Sequence, residues 1–271
     1  METLSSTDNF EMIIYKYRPW ETPYKSILEE NQLWFPSVRT LRINDSNELT
    51  NYPNFTLLPD NDKYALLYDS LDLNRPTLNK DLKIRIVNKK FEEGRLNNWK
   101  DFESIGREIS ELISSKIGIC SFSKNKNILN QWKEYAAEFK GICVGFEFEL
   151  IHNTIGGHFG PINYNACKHP SAVYNSPNDN MENLFNLDCT KLENFIEENE
   201  FRYNKIDSTL KEHEFYKDKG HTIPPDAFKE IIIGEKNNER DNIINLCRTK
   251  FPSAILFEAL LNYDKVEIVP L

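Results

Sequence analysis

Long hydrophobic runs are missing from this sequence of 271 residues. No stretch approaches the roughly eighteen consecutive apolar residues that a membrane-spanning helix needs. The opening residues, METLSSTDNFEMIIYKYR, also lack the charged start and the apolar segment of a signal peptide. The sequence therefore predicts a cytoplasmic protein with no membrane partner.

Cysteine is scarce, and no two cysteines form a C-x-x-C pair. The chain has an odd number of them, at Cys120, Cys143, Cys167, Cys189 and Cys247. This pattern argues against a disulfide framework and is typical of proteins in a reducing compartment. The five histidines show no H-E-x-x-H or other ligand spacing, so we expect no metal site.

An excess of positive charge is also lacking. The chain has 33 lysines and arginines against 42 acidic residues, a net charge of -9. Binding to a nucleic-acid backbone is driven by neutralising phosphates, so such binding is not the default expectation. What the chain does have is 39% hydrophobic and 28% charged residues, which is typical of an ordinary folded protein.

Residues 117–148 predict a strand, a helix and a second strand in succession. The first strand is rich in β-forming residues, and apolar residues from Ile128 to Phe139 then recur at helical spacing over about three turns. Gly141 follows where a helix C-cap favours a residue at positive φ. From Ile142 to Phe148 the apolar side chains alternate, as in a strand. This order is consistent with a βαβ unit or with an irregular α+β arrangement.

The remaining pattern predicts one α+β domain covering residues 1–271, with helices packed on a mixed sheet. A mostly helical insertion is expected at about 62–115. Further strands are predicted at 11–18, 32–35, 161–164, 198–203, 228–234, 254–261 and 265–270. Further helices are predicted at 24–30, 184–197 and 238–251, and a charged loop is predicted at 207–226.

One alternating segment carries the main candidates for chemistry. Strand periodicity places Glu198, Glu200 and Arg202 on one face. Three charged groups in a row form either a solvated surface, which the alternation alone favours, or the lining of a functional cleft.

Aromatic and arginine side chains provide candidates for ligand binding. Arg18 ends the first strand, and its guanidinium suits bidentate binding of a phosphate, with a surface arginine as the equal alternative. Trp132 and Tyr135 offer flat apolar surface with a polar tip, suited to stacking on a ring or covering a ribose. Helical spacing alone favours core positions for both.

Several segments, taken in order, form a recognisable pattern. They are the KYR end of the first strand, Asn44-Asp45-x-x-Glu48, C-S-F-S…L-x-x-W-x-x-Y-A…G-I-C-V-G-F, Glu198-x-Glu200-x-Arg202 and KEIIIG. The chain resembles the bacterial domain-of-unknown-function family 2971 over nearly its whole length, least in residues 55–115 and 165–195. It departs from that family at Ser46-Asn47, where a proline and an apolar residue are usual, which puts the turn at Asn44 in doubt.

The chain is also similar, more loosely, to ADP-ribosyltransferases. The similarity rests on a first strand with Tyr and Arg, an aromatic block in the middle and a late strand with Glu-x-Glu. This resemblance implies a split β-sheet that binds NAD in its cleft, and a role as a toxin or phage-defence effector. It implies that Glu200 stabilises the oxocarbenium-like transition state at the ribose. Glu198 would orient or deprotonate the acceptor, and Arg202 would hold the carboxylates ionised and in place.

The same resemblance suggests contacts to NAD. Arg18 would bind phosphate, and Tyr17 or Trp132 would stack on nicotinamide or adenine. Asn44 and Asp45 would hydrogen-bond the ribose, although the pair also suits a helix cap, which their residue types favour.

Other functions stay open at this level. One is a nucleotide- or signal-binding module of a defence system, without catalysis, in which the aromatic block and the arginines form the pocket. Another is a nucleic-acid enzyme, against which the acidic charge and the missing metal constellation count. A structural interaction protein would leave the polar residues incidental. The acceptor, the oligomeric state and whether Arg18 and Glu200 face one cleft also stay open.

Overall fold

The computed structural model describes residues 12–44, 59–94, 115–165, 190–207, 209–210 and 214–271. The strands in these ranges are β1 (Ile13–Arg18), β2 (Gln32–Phe35), β3 (Ile117–Ser123), β4 (Ile142–Glu147), β5 (His158–Pro161), β6 (Asn163–Asn165), β7 (Thr190–Leu192), β8 (Glu200–Ile206), β9 (Lys219–Thr222), β10 (Phe228–Gly234), β11 (Ile255–Asn262) and β12 (Lys265–Pro270). The helices are α1 (Ser26–Glu29), α2 (Val38–Asn44), α3 (Asp60–Asn74), α4 (Lys80–Glu92), α5 (Leu129–Glu134), α6 (Phe148–Ile155) and α7 (Arg240–Lys250). Two 3₁₀ helices span Glu193–Glu198 and Pro225–Ala227.

A mixed eight-stranded sheet organises the fold, with the strand order β12-β11-β10-β4-β1-β3-β8-β5. Strands β10 and β11 are parallel, and the other neighbours in this sheet are antiparallel. Two small sheets accompany it, one from β2 and β9 and one from β6 and β7. The α+β class expected from the sequence is therefore confirmed.

The predicted strand–helix–strand segment spans the middle of the sheet. Both β3 and β4 run antiparallel to β1, so they are parallel to each other. Strand β1 lies between them, and the connection through α5 therefore crosses one intervening strand.

Each face of the sheet packs a separate apolar core, which explains why its central strands carry apolar residues at consecutive positions. On one face, Ile14, Val144 and Ile231 belong to a large core that includes residues of α1, α6 and α7. On the other, Tyr15, Cys143 and Ile232 pack against Trp132, Ala136 and Phe139. Successive residues of a strand point to opposite faces, so apolar residues at consecutive positions serve both cores.

Strands β1 and β3 are joined much less extensively than β1 and β4. Strand β1 has six register pairs with β4, from Ile13 to Arg18. With β3, the described residues show the single register pair Tyr15–Ser123. We call the region beyond this pair the β1–β3 gap, with Lys16 and Arg18 on one side and Cys120 and Ser121 on the other. The ammonium of Lys16 bridges it by donating to the carbonyl of Ser121.

The predicted helix from Ile128 to Phe139 is wrong at its C-terminal end. Helix α5 ends at Glu134, and the chain then takes positive φ at Ala137, Glu138 and Phe139. Gly141 is not the expected cap at positive φ. It lies where a Cβ would collide with the carbonyl oxygen of Arg18, so close backbone packing is what requires glycine there.

Two predictions in the second half also need correction. Residues 190–197, expected to end a helix, form β7 and most of the 3₁₀ helix, while 184–189 lie outside the described residues. The expected loop at 207–226 contains β9, which pairs with β2.

The helical insertion is represented by α3 and α4, and residues 95–114 lie outside the described ranges. None of the helices in the described part of the chain has the length and apolar character that crossing a membrane requires.

Candidate functional site

A sharp turn at Asn199 brings Glu198 and Glu200 together. Glu198 is the last residue of the 3₁₀ helix rather than part of the strand, and Asn199 takes a φ of 45° before β8 begins at Glu200. Asparagine tolerates this left-handed conformation better than most residues. The hydroxyl of Ser123 donates to the Glu198 carbonyl at 3.2 Å, and the Glu200 N–H donates to the Tyr164 hydroxyl at 2.8 Å.

The two carboxyl groups share one cation, and we call Glu198, Glu200, Lys191 and Arg202 the carboxylate site. The Nζ of Lys191 lies 2.7 Å from Glu198 Oε2 and 2.6 Å from Glu200 Oε2. Arg202 Nε lies 3.0 Å from Glu200 Oε1. Glu200 is 5% exposed and Arg202 is 2% exposed. These charged residues are therefore buried and do not form the solvated surface that their alternation alone favours.

The environments of the two carboxyl groups shift their pKa values in opposite directions. Burial alone would raise the pKa of Glu200, but the charges of Arg202 and Lys191 outweigh it, with help from the Ser121 hydroxyl, and lower it to about 2. Burial raises the pKa of Glu198; Lys191 opposes this rise and the nearby charge of Glu200 adds to it. Glu200 is thus the fixed negative charge, and Glu198 is the more basic carboxylate.

Tyr135 lies at the exposed side of the carboxylate site. Its hydroxyl donates to Glu198 Oε1 at 3.4 Å, and its side chain is 41% exposed. Burial of the hydroxyl, together with the charge of Glu198, raises the pKa of Tyr135 to about 12. On the Lys191 side, the ammonium lies 5.5 Å from the ring centroid of the half-exposed Phe195. Aromatic surface therefore flanks the carboxylates where they approach solvent.

Tyr17 and Trp132 lie in the core rather than at this site. The Trp132 ring has no exposed surface, stacks on Phe139 at 5.4 Å and meets Tyr17 edge-on at 5.4 Å. Its Nε1 donates to the carbonyl of Lys126 at 2.9 Å, and the Tyr17 hydroxyl donates to that of Asn125 at 2.7 Å. Both rings pack against other side chains of the protein and are not available to stack on a ligand. Trp132 is therefore a core residue, as its helical spacing alone indicates.

Arg18 and Lys16 lie in the β1–β3 gap. The guanidinium of Arg18 lies 5.3 Å from the ring centroid of Tyr24, and burial lowers its pKa. Burial also lowers the pKa of Lys16 to about 8, with the charge of Arg18 contributing. Within the described ranges, no carboxylate forms an ion pair with either cation. Strand β3 separates β1 from β8, so Arg18 and Glu200 are on strands that do not neighbour each other.

The predicted ribose contacts lie at or beyond the edge of the described residues. Asn44 is the last residue of α2, and Asp45 lies outside the described ranges. In the part of the chain that the structure describes, no three His, Cys, Asp or Glu side chains cluster as a metal site would require.

No family model matches the chain, and neither a curated protein nor a solved structure matches it. Its function is therefore inferred from the geometry of the described residues and from the resemblances noted in the sequence.

Four residues near these sites are not predicted from the sequence: Lys191, Tyr164, Ser121 and Lys16. Ser121 and Lys16 carry a recoverable signal, since both are polar residues inside strands that are otherwise largely apolar. Lys191 and Tyr164 carry none, because they reach the carboxylates only through the pairing of β6 with β7.

Proposed function

We propose that this chain is an ADP-ribosyltransferase-like enzyme that uses NAD, either transferring ADP-ribose to an acceptor or hydrolysing NAD. The observation that carries the proposal is the buried pair Glu198 and Glu200, whose surroundings move their pKa values apart. Pairs of carboxyl groups with unlike environments are typical of sites in which one group stabilises charge and the other transfers a proton.

The chemistry assigns a role to each carboxylate. Breaking the bond between nicotinamide and ribose generates an oxocarbenium-like transition state, which a fixed carboxylate stabilises. Glu200 is suited to this because Arg202 and Lys191 keep it ionised. Glu198, the more basic group, would accept the proton of an acceptor hydroxyl, amine or water. Tyr135 would cover the ribose or the nicotinamide ring from the exposed side.

The β1–β3 gap supports binding of an anionic ligand. Lys16 is 6% exposed and Arg18 lies beside it on β1, and neither forms an ion pair with a described carboxylate. A buried charge without a counter-ion is costly, and a bound anion offsets that cost. The diphosphate of NAD carries the required charge. The limited pairing of β1 with β3 also suits the split sheet that the resemblance implies.

The biological role that accompanies this chemistry is that of a toxin or phage-defence effector of family 2971 in the bacterial cytoplasm. Consumption of NAD, or modification of an essential acceptor, would arrest the cell in which the enzyme acts.

A second candidate function, a nucleotide-binding module without catalysis, has one observation in its favour. Glu200 is enclosed and its charge is balanced by Arg202 and Lys191. A carboxylate neutralised in this way can serve to hold β7 against β8 without touching a ligand.

Nicotinamide release from NAD separates the two candidates. We would compare the wild type with Glu200→Gln and with Glu193→Gln, which changes an exposed glutamate of the 3₁₀ helix that ends at Glu198. Thermal unfolding would check that all three proteins are folded. The enzyme proposal predicts release by the wild type and by Glu193→Gln, and a loss of about 100-fold or more in Glu200→Gln.

The other results are equally decisive. A melting shift with NAD but no nicotinamide release, in the presence of cell extract as a source of acceptor, would favour the binding module. Neither a shift nor release from folded wild-type protein would overturn both NAD-based functions. Release that Glu200→Gln retains would overturn the role given to Glu200.

A further inference from the structure

Lys191 stands apart from the rest of the carboxylate site in the fold. Glu198, Glu200 and Arg202 come from one continuous segment at the start of β8. Lys191 comes from β7, which belongs to a separate two-stranded sheet with β6. That small sheet also supplies Tyr164, whose hydroxyl accepts the N–H of Glu200. The β6–β7 sheet therefore supplies two of the side chains that contact Glu198 and Glu200.

Lys191 contacts both glutamates of the carboxylate site. Its ammonium makes contacts of 2.7 Å to Glu198 and 2.6 Å to Glu200, whereas Arg202 contacts Glu200. The Lys191 side chain is 14% exposed, so water screens these contacts little. Without Lys191, Glu200 would keep Arg202, but the contact of Glu198 with a cation would be lost.

We propose that Lys191 is a positioning residue that holds the Glu198 carboxylate ionised beside Glu200, so that Glu198 can receive the acceptor's proton. The inference depends on the proposed NAD chemistry and adds to it the cation that prepares the base. In the step concerned, the acceptor X–H bond breaks and its proton moves to an oxygen of Glu198. The X–C bond forms at the anomeric carbon while the carbon–nitrogen bond to nicotinamide breaks, and nicotinamide leaves with that electron pair.

The ionisable groups around Glu198 define what Lys191 must counter. They are Lys191 itself from β7, Tyr135 from the turn after α5, Tyr164 from β6 and Glu200 from β8. Among these, Lys191 carries the positive charge, and Glu200 carries a negative charge that repels a second carboxylate. Without the ammonium of Lys191, Glu198 would be buried beside the negative charge of Glu200 and would have no cation in contact with it. The pKa of Glu198 should then rise further, and a smaller fraction of Glu198 would be ionised at neutral pH.

The test uses the full chain as wild type, Lys191→Met, Lys191→Arg and Glu198→Gln. One readout is the ¹³C NMR titration of glutamate side-chain carboxyl groups, with the Glu198 resonance identified by its loss in Glu198→Gln. The other is the pH dependence of kcat and of KM for NAD. Melting temperatures check folding, and Lys191→Arg keeps the charge if Lys191→Met proves unstable.

We expect Lys191→Met to move the Glu198 titration to higher pH and the acidic limb of kcat with it. The value of kcat at neutral pH should fall on the order of 100-fold with little change in KM, because the base is displaced and less ionised. Lys191→Arg should keep a titration close to that of the wild type. A residue that served only to fold the site would not move the pH profile in this way.

Failure of this inference and failure of the proposed function give different results. NAD turnover combined with an unmoved Glu198 titration or an unchanged acidic limb in Lys191→Met overturns the role of Lys191 alone. A Glu198 titration that shifts in Lys191→Met, together with a folded wild type that consumes no NAD, overturns the proposed function and the catalytic role of Lys191 with it.

Discussion

Tyr15 of β1 is paired with Ser123 of β3, and within the described residues this register pair alone joins the two halves of the main sheet. Beyond this pair, the ammonium of Lys16 donates a hydrogen bond to the carbonyl of Ser121. In a continuous ladder this carbonyl would accept from a backbone N–H. A lysine thus replaces part of the sheet hydrogen bonding and places a buried positive charge between the halves.

Burial of Lys16 predicts a stability change in alkaline solution. Its pKa falls from 10.5 to about 8 on folding, mainly because burial disfavours the charged form. Between these values the unfolded chain binds more protons than the folded one, so the free energy of unfolding rises with pH across this window. The shift corresponds to at most about 3 kcal/mol. Urea unfolding at several pH values should show this rise for the wild type relative to Lys16→Met. Parallel pH profiles for the two proteins would contradict it.

Pyrophosphate should bind in the β1–β3 gap. Lys16 and Arg18 form no ion pair with a described carboxylate, and in our proposal the phosphates of the ligand supply the counter-charge. We expect pyrophosphate to raise the melting temperature of the wild type, and this increase to be lost in Lys16→Met and in Arg18→Met. Lys133→Met, which changes an exposed lysine of α5, is the matched control and should keep the increase. Equal increases in all four proteins would show that pyrophosphate acts elsewhere on the chain.

Gly141 should not tolerate even a methyl group. A Cβ there would collide with the Arg18 carbonyl and lie 2.9 Å from the Ala136 carbonyl, and neither backbone can move without disturbing β1 or the turn after α5. Gly141→Ala should therefore lower the free energy of unfolding by about 3 kcal/mol. Gly160→Ala, where a Cβ meets nothing within 4 Å, is the same change in an edge strand and should cost little. Denaturant unfolding of both variants makes the comparison, and equal losses would contradict the packing argument.

Acid should remove the stabilisation that Glu200 provides. Its pKa is lowered from 4.5 to about 2 on folding, so its contribution is complete above about 4.5 and disappears as pH falls towards 2. The shift corresponds to about 3 kcal/mol. The difference in unfolding free energy between the wild type and Glu200→Gln should therefore be largest near neutral pH and shrink in this window. Glu193→Gln, which changes an exposed glutamate of the 3₁₀ helix, is the matched control for the loss of one carboxylate. A gap for Glu200→Gln that does not change with pH would show that its ion pairs contribute nothing.

The central strands could be predicted because their runs of apolar, β-forming residues fit a sheet with a core on each face. In β10, which was predicted as a strand, Ile231 and Ile233 enter one core and Ile232 enters the other. The end of α5 could not be predicted in this way. Phe139 reaches the core at helical spacing from Trp132, but the chain arrives there through residues at positive φ. Apolar spacing reports burial, and more than one backbone path can satisfy it.

The candidate site was predictable only where its residues are close in sequence. Glu198, Glu200 and Arg202 were found together by strand periodicity, although Glu198 belongs to a 3₁₀ helix and the turn at Asn199 supplies the proximity. Lys191 precedes Glu198 by seven residues and approaches it because β7 pairs with β6. Contacts that depend on the pairing of distant strands leave no periodic signal in a single sequence.

Tyr135 provides the most specific test of where the ligand lies. Tyr135→Phe removes the hydroxyl that donates to Glu198 but keeps the ring, so we expect kcat for NAD to fall about 3-fold to 10-fold with KM unchanged. Tyr135→Ala also removes the ring and should raise KM by about tenfold or more, if the ring covers the nucleotide. Both variants should melt close to the wild type, because the side chain is 41% exposed.

A matched control and a clear contrary result exist for Tyr135. Tyr263, in the turn between β11 and β12, is 96% exposed, and Tyr263→Phe and Tyr263→Ala should leave kcat and KM unchanged. If Tyr135→Ala alters neither constant, the nucleotide does not reach the exposed side of the carboxylate site. If it raises KM while Tyr135→Phe leaves kcat intact, the ring binds the ligand and the hydroxyl plays no part in proton transfer. The two substitutions therefore separate ligand binding from the chemistry at Glu198 with a single side chain.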